Sequence, residues 1–148
     1  MSAQATQLSQ QLVVFSLGDE EYALPITKVQ EIIRFTEPRA VASDAAWIRG
    51  VISLRGKIVP VCDLAARIGI EHERVEHAKI VIVETGEGTA GVIVDDVREV
   101  LAVDDAELDV VPGGGADFIA AIAKVDDRLV VLLDPEALFA GLELEAAA

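Results

Sequence analysis

The sequence predicts an all-β fold made of two small five-stranded β-barrels side by side. Three observations support this prediction: short apolar runs with strand-like alternation, turn residues between them, and one order of elements that occurs twice along the chain. Each half offers about five short strands and one short helical pattern. That number suits a small closed barrel, because closure leaves little strand edge unpaired.

The first half begins with a predicted hairpin. Apolar residues alternate over residues 12–17, a polar turn follows at residues 18–20, and the next strand again has one apolar face. Pro25 lacks a backbone donor and therefore belongs at the end or the edge of that strand. Residues 29–33 combine helical and strand signals, so we expect one helical turn that runs into a strand.

A second hairpin is predicted within residues 48–64. Two β-branched runs meet at Arg55-Gly56, and glycine adopts the positive φ that a two-residue turn requires. We expect Arg49, Arg55 and Lys57 to cluster near one end of this hairpin. In a chain with 12 basic and 26 acidic residues, this cluster is a candidate functional site. The alternative is that these cations are simply solvated, as cations at turns usually are.

The second half repeats these elements. Residues 97–101 match residues 29–33 position by position, and residues 127–134 match residues 56–63. Two copies of one structural unit are the economical explanation.

A short helix is predicted after the closing aspartate of each copy. Asp63 precedes a helical pattern at residues 64–68, and Asp134 precedes one at residues 135–139. Aspartate is a good N-cap, and proline suits the first helical position of the second pattern.

The predicted organisation is a single domain between two tails. Its parts are a flexible tail at 1–10, a domain at 11–141 with a first barrel at about 11–70 and a second at about 78–141, a polar joint at 71–77, a flexible loop at 112–115, and a flexible tail at 142–148.

The composition excludes several classes of function. The 148 residues are 52% apolar but only 4% aromatic, and the formal charge is −14. This charge argues against binding to nucleic acid and against direct binding to anionic membranes. The polar N-terminal segment has no signal-peptide pattern, and the single cysteine cannot form an internal disulfide, so we expect a cytoplasmic protein.

Three motifs imitate catalytic or cofactor sites. Residues 86–91 spell a dinucleotide-binding fingerprint, but the β-forming residues 92–94 follow where that motif requires a helix. His72 and His77 have the wrong spacing for a zinc protease, so we expect solvated surface histidines. Cys62 lies in an apolar run and is expected to be a buried, inert thiol. We therefore expect no enzyme, no cofactor and no metal site.

Several ordered motifs carry a resemblance to a known family. They are Phe15-Ser-Leu-Gly-Asp-Glu-Glu-Tyr22, Val29-Gln-Glu-Ile32, Ile48-Arg-Gly-Val51, Leu54-Arg-Gly-Lys-Ile-Val-Pro60 and Val92-Ile-Val-Asp95. From about Leu12 to Gly141 the chain resembles the CheW family of chemotaxis coupling proteins, whose fold is two five-stranded barrels packed together.

The resemblance implies a non-catalytic adaptor. CheW-like proteins bridge the cytoplasmic tips of chemoreceptors to the regulatory domain of the histidine kinase CheA. Two alternatives remain open: a CheW-like scaffold of a non-chemotaxis pathway such as twitching motility, and a barrel that binds a small ligand.

The resemblance also implies contact residues. Val29, Glu31, Gly50 and Arg55 match positions that the family uses for receptor or kinase contact, and Ser53 stands where the family commonly has an asparagine. By analogy we expect one kinase contact in the first half and the receptor in the groove between the barrels. We expect Glu31 to pair with Arg55 and to hold its guanidinium in place.

Each of these residues also has a structural explanation. Val29 and Glu31 recur in the second copy as Val97 and Glu99, which indicates a structural task. Gly50 is explained by backbone geometry. Arg55 has no such counterpart, since Asp126 stands in its place, and this asymmetry favours Arg55 as the functional residue.

Overall fold

A computed structural model of the chain describes residues 10–42, 45–73, 75–86, 88–111 and 117–140. The predicted tails lie outside these ranges except for Gln10, which begins the first strand. The predicted loop at 112–115 lies outside them as well. The structure is mostly β, with two sheets and short helices, as the sequence predicts.

The chain forms eleven short strands, two short helices and two 3₁₀ turns within the described residues. The strands are β1 (Gln10–Leu17), β2 (Glu20–Pro25), β3 (Val29–Arg34), β4 (Ile48–Leu54), β5 (Lys57–Asp63), β6 (Lys79–Thr85), β7 (Gly88–Val94), β8 (Asp96–Val103), β9 (Leu108–Asp109), β10 (Ile119–Val125) and β11 (Arg128–Leu133). The helices are α1 (Leu64–Ile68) and α2 (Pro135–Leu138), and 3₁₀ turns span Ile26–Lys28 and Asp105–Glu107. The helical turn expected within residues 29–33 lies earlier, as the 3₁₀ turn Ile26–Lys28, and residues 29–33 are strand throughout.

The two sheets do not correspond to the two halves of the chain. One sheet has the order β3-β6-β7-β5-β4 and the other has the order β8-β1-β2-β11-β10-β9. We call them the five-stranded barrel and the six-stranded barrel. Each takes a hairpin from the opposite half: β6 and β7 complete the former, and β1 and β2 complete the latter. The expected division into contiguous barrels at 11–70 and 78–141 is wrong in this respect.

The exchange of hairpins preserves the internal repeat. When each strand of the five-stranded barrel is replaced by its equivalent in the other copy, the order becomes β8-β1-β2-β11-β10, which is the observed order of the six-stranded barrel. Only the two-residue β9 is additional. The two barrels are therefore equivalent structures, although neither is a contiguous half.

Three apolar clusters hold the fold together. The interior of the five-stranded barrel includes Ile52, Val59, Ile80 and Ile93. The interior of the six-stranded barrel includes Leu12, Val14, Ala123 and Val130. The third and largest cluster lies between the barrels and contains side chains from both, together with both helices; it includes Phe15, Leu24, Leu64, Val81, Val92, Leu138 and Phe139.

Both helices begin as the sequence predicts. The Asp63 carboxylate accepts a hydrogen bond from the Ala66 backbone N–H at 3.3 Å, and that of Asp134 accepts one from the Glu136 N–H at 3.0 Å. These contacts satisfy N–H groups that have no partner within the helix. The second helix ends at Leu138, one residue earlier than expected.

Candidate functional site

The turn between β4 and β5 is the centre of the candidate site. Arg55 and Gly56 form a two-residue turn with φ values of 52° and 82°. Positive φ at both positions matches the right-handed twist of the two strands. The Arg55 side chain projects from this turn and is 71% exposed.

Arg55 binds Glu31 through both guanidinium arms. Its Nη2 donates to Glu31 Oε1 at 2.8 Å, and its Nη1 donates to Glu31 Oε2. Glu31 lies on β3 and Arg55 follows β4, and these are the two outer strands in the order of the sheet. The pair therefore links the two edges of the five-stranded barrel. The predicted pairing of Glu31 with Arg55 is confirmed.

Both members of this pair are charged at neutral pH. The hydrogen bond from Arg55 lowers the pKa of Glu31, and the bond to Glu31 raises the pKa of Arg55. A bidentate contact also restricts the guanidinium to one plane. The turn thus presents an exposed cation in a defined orientation.

Val29 and Glu31 are placed by one strand. Glu31 lies on the same face of β3 as Ile33, which packs against the interior of the five-stranded barrel, so the carboxylate is on the inner face of that strand. Val29 is half-buried and packs against the cluster between the barrels. Val97, its equivalent, packs against the same cluster, which supports a structural task for both valines.

Gly50 is required by a close backbone approach. Its φ is 152°, and a Cβ at this position would lie 2.2 Å from the Arg39 carbonyl oxygen. Arg39 and Val51 exchange two backbone hydrogen bonds, of 2.8 and 2.9 Å, beside it. Ser53 is exposed on β4 and lies opposite Ile58. Gly50 therefore shapes the strand, and Ser53 belongs to its outer surface.

Arg49 does not join the predicted cluster of cations. It lies near the start of β4 and its Nη1 donates to Asp63 Oδ2 at 3.1 Å. Arg55 lies six positions further along the chain, roughly 20 Å away at about 3.3 Å per residue of strand. The prediction that Arg49 lies near Arg55 and Lys57 is wrong, because the strand extends through residue 54 and carries the two ends apart.

A second Arg–Glu cluster, absent from the sequence predictions, lies in the six-stranded barrel. Arg128 donates from Nε to Glu21 Oε1 at 3.0 Å, and its Nη2 lies 2.6 Å from Glu99 Oε2. These contacts, with Glu21 first, raise the pKa of Arg128. The repeat of Glu31 as Glu99 was the sequence signal for this cluster.

His72, which was expected to be a solvated surface histidine, instead contacts Asp95. His72 Nε2 lies 2.8 Å from Asp95 Oδ1, and the Gly18 N–H donates to Asp95 Oδ2 at 2.8 Å. Both side chains are largely buried, with exposures of 20% and 13%. The expectation of a solvated His72 is therefore wrong: with Asp95 it links the joint at 71–77 to the turn between β1 and β2.

The dinucleotide-binding fingerprint and Cys62 have structural roles. Gly91 lies inside β7, where a Cβ would approach Ile80 Cγ2 to 2.8 Å, so the fingerprint does not open a helix. Cys62 is buried, and burial raises the pKa of its thiol.

Among the described residues, no group of three or more histidine, cysteine, aspartate or glutamate side chains is arranged to hold a metal ion. Nor does any helix in those ranges have the length and apolar character needed to cross a membrane.

Comparisons with known proteins identify the family of this chain and agree with its fold. The family described as "CheW-like domain" matches residues 11–143. A probable chemotaxis protein CheW of Rhizobium etli is 34% identical over 95% of this chain and 94% of its own length. The chemotaxis protein CheW of Bacillus subtilis is 32% identical over 86% and 85%. The crystal structure of the scaffolding protein TtCheW from Thermoanaerobacter tengcongensis superposes with a TM-score of 0.83 at 35% identity, covering 90% of both chains.

Proposed function

Because the chain belongs to the family of CheW-like domains, we propose that it is a non-catalytic adaptor that couples the cytoplasmic tips of chemoreceptors to the histidine kinase CheA. The proposed location is the cytoplasm, where both partners present the surfaces concerned. The family match and the similarity to a scaffolding protein support this proposal.

The exposed Arg55 guanidinium is the observation that carries the proposal. The resemblance to the family implies partner contact at this position, and Glu31 orients the guanidinium without covering it. A receptor tip is a helical hairpin, and helices dock in apolar grooves where a few charges set the register. An acidic or carbonyl group of the receptor competes with Glu31 for Arg55 in this proposal.

The remaining candidates have supporting parts. Val29 contributes apolar surface at the border of the two barrels, and Ser53 belongs to the outer face of the same barrel as Arg55. Gly50 acts through the shape of β4. For the kinase we propose a barrel edge or end, with an interface of about 800 Å² per partner and an affinity near micromolar.

The test is reconstitution of receptor-dependent CheA activity with and without this protein. We expect kinase activation and co-sedimentation with receptor and CheA for the native chain. Arg55→Glu should lose receptor-dependent activation by at least tenfold with little change in Tm. Arg34→Glu, which reverses an exposed cation elsewhere on β3, is the matched control and should retain it. Unchanged activation by Arg55→Glu would contradict the role of Arg55.

A second candidate is a CheW-like scaffold of a non-chemotaxis pathway. Protein PilI of Pseudomonas aeruginosa is 27% identical to this chain over 84 residues, which span 56% of this chain. The two candidates share the fold and differ in their receptors. Failure to couple chemoreceptors together with retained binding to a CheA-like regulatory domain would favour this second candidate.

A further inference from the structure

Arg67, on α1, contacts residues of both barrels. Its Cζ atom lies 4.7 Å from the centre of the Trp47 ring and 4.6 Å from that of the Phe118 ring. Its Nε donates to the Leu138 carbonyl oxygen at 3.1 Å. Trp47 directly precedes β4 of the five-stranded barrel, Phe118 directly precedes β10 of the six-stranded barrel, and Leu138 ends α2. One side chain therefore joins the two barrels at their border.

The internal repeat does not supply a second copy of this contact. Its register makes Trp47 equivalent to Phe118 and Arg67 equivalent to Leu138. The backbone agrees, because the carbonyl oxygens of both aromatic residues accept a hydrogen bond of 2.8 Å from the N-cap aspartate of the next helix. Leu138 is fully buried and carries no charge. Arg67 therefore donates to the backbone of its own equivalent, at the place where the two copies meet.

The rest of this border is mainly apolar. The largest cluster of the fold fills it with aliphatic and aromatic side chains, among them Phe139, whose ring centre lies 6.0 Å from that of Trp47. Apolar burial is non-directional, so it resists separation of the barrels more strongly than it resists a small rotation. A guanidinium is planar, stacks on aromatic rings and donates in fixed directions. Arg67 therefore adds a directional contact to a border that is held mostly by non-directional packing.

A second polar contact crosses the same border. The Glu136 carboxylate of α2 accepts from the Gly86 N–H, next to β7 of the five-stranded barrel, at 3.0 Å, and it binds Lys28 at 3.3 Å. The side chains of Lys28 and Glu136 are 41% and 42% exposed, and exposed ion pairs are screened by water and salt. Arg67 is partly buried and contacts three groups of the border, so it is the stronger determinant of the angle between the barrels.

The position of Arg67 gives a small rotation a large effect at the two turns. Trp47 and Phe118 lie at the near ends of β4 and β10, and the turns at Arg55 and Asp126 lie at the far ends. Each strand has seven residues, which span roughly 23 Å at about 3.3 Å per residue. A rotation of about 10° about an axis across the strands moves a turn at that distance by about 4 Å. Such a displacement is enough to separate a guanidinium from a hydrogen-bond acceptor.

We infer that Arg67 is a positioning residue that fixes the angle between the two barrels, and with it the place of Arg55 relative to the six-stranded barrel. The consequence for partners rests on the proposed function, in which a receptor tip lies in the groove between the barrels. A fixed angle leaves less ordering to occur on binding, and this raises the affinity for the receptor. A kinase contact at one barrel edge or end does not depend on the angle. Arg67 thus sets receptor affinity through the geometry of the groove.

Two spin labels measure the angle in the protein alone. Lys57→Cys and Asp127→Cys place one label at an exposed position beside each turn, and the native Cys62 is buried and stays unlabelled. In Arg67→Met, which keeps a long apolar side chain without the guanidinium, the distribution of distances between the labels should be about twofold wider. A distribution as narrow as that of the parent chain would overturn the inference.

Arg67→Lys decides the question if Arg67→Met does not fold. The lysine keeps the charge and the apolar stem, but its ammonium group has no plane that can stack on the rings. The distance distribution should therefore widen in this variant as well, by less than in Arg67→Met. A native distribution in Arg67→Lys would contradict a role for the planar guanidinium.

Arg128→Met is the matched control for a loss of stability. Arg128 is also partly buried, but its partners Glu21 and Glu99 lie in the same barrel as Arg128 itself. This variant should lose stability without a wider distance distribution. Trp47 is the one tryptophan of the chain, so its fluorescence emission should shift in Arg67→Met and stay unchanged in Arg128→Met. Equal widening in both variants, or an unshifted emission in Arg67→Met, would count against the inference.

Binding of the separate partners tests the link to the proposed function. Arg67→Met should weaken binding to a receptor-tip fragment about tenfold and leave binding to the CheA regulatory domain within about twofold of the native value. Equal losses for both partners would refute the positioning role, since general destabilisation lowers both. If the native chain binds neither partner, the proposed function fails, while the distance measurement still decides whether Arg67 fixes the angle.

Discussion

The two barrels use an Arg–Glu contact at the same place but take the arginine from different positions. In the five-stranded barrel, Glu31 is held by Arg55, which projects from a turn and is 71% exposed. In the six-stranded barrel, the equivalent Glu99 is held by Arg128, which lies at the start of β11, is 34% exposed and also binds Glu21. The repeated task is structural, whereas the exposed position of Arg55 is particular to one barrel.

This difference separates stability from recognition. In the second copy the equivalent Glu99 also binds an arginine, so the presence of the Glu31–Arg55 pair does not by itself establish a binding role. The two arginines differ in their exposure to solvent. A partner can therefore reach Arg55 more readily than it can reach Arg128. The following predictions test the comparison, from the largest expected effect to the smallest.

Gly50→Ala should have the largest effect. Its new Cβ would lie 2.2 Å from the Arg39 carbonyl at a φ of 152°, so we expect a loss of about 3 kcal/mol or more in the free energy of unfolding. Ala121 is its equivalent, with the same register shift in β10. The control Ala121→Gly should cost only about 1 kcal/mol. Denaturant titration measures both losses of stability. Equal losses would contradict the claim that Gly50, unlike Ala121, is needed for the close approach of a neighbouring backbone.

Arg128→Gln should destabilise the protein by about 1 kcal/mol. The change leaves Glu21 and Glu99 together without their cation, but partial solvent exposure screens their repulsion. Arg98→Gln, at an exposed position on β8, should change stability by less than about 0.5 kcal/mol. Receptor-dependent kinase activation should survive Arg128→Gln and fail in Arg55→Glu. The opposite pattern would place the recognition surface on the six-stranded barrel.

The pH dependence of the Glu31–Arg55 pair should be small and of one sign. Because the folded-state pKa of Glu31 lies below its ordinary value of 4.5, the pair stabilises the protein above that value and ceases to do so as the pH falls through the lowered pKa. The difference in Tm between the native chain and Arg55→Gln should therefore shrink below about pH 4.5. A difference that grows on acidification would have the wrong sign for this pair.

The Glu31 carboxyl group provides a direct readout of the same pair. Its titration can be followed by nuclear magnetic resonance through the chemical shift of the carboxyl carbon. The midpoint should lie below pH 4.5 in the native chain and should rise towards 4.5 in Arg55→Gln. An unchanged midpoint would show that Arg55 does not perturb Glu31 in solution.

Local features of the fold could be predicted from the sequence because they depend on neighbouring residues. Alternation located the strands, Asp63 and Asp134 located the helix starts, and Arg55-Gly56 located the turn. Pairing between distant strands left no comparable signal, because an apolar face fits either barrel. The exchanged hairpins were missed for this reason.

The candidate site was partly predictable for the same physical reason. Opposite charge and expected proximity were enough to anticipate the contact between Glu31 and Arg55. The contact of His72 with Asp95 joins two loops whose relative position depends on the complete fold. No local sequence pattern predicts it for that reason. Arg128 was recognisable only by asking what the repeated Glu99 binds.

The exchange of hairpins imposes an order on biosynthesis. The β1–β2 hairpin is made before the other described hairpins, yet its parallel neighbour β11 lies near the other end of the domain, and the Glu21–Arg128 contact spans 107 positions. Until β11 has left the ribosome, one edge of this hairpin remains unpaired. An unpaired strand edge is prone to aggregation and can be bound by chaperones. The five-stranded barrel also needs β6 and β7 before it can close. Neither copy can therefore mature as an independent folding unit, and the two barrels should assemble as one cooperative event.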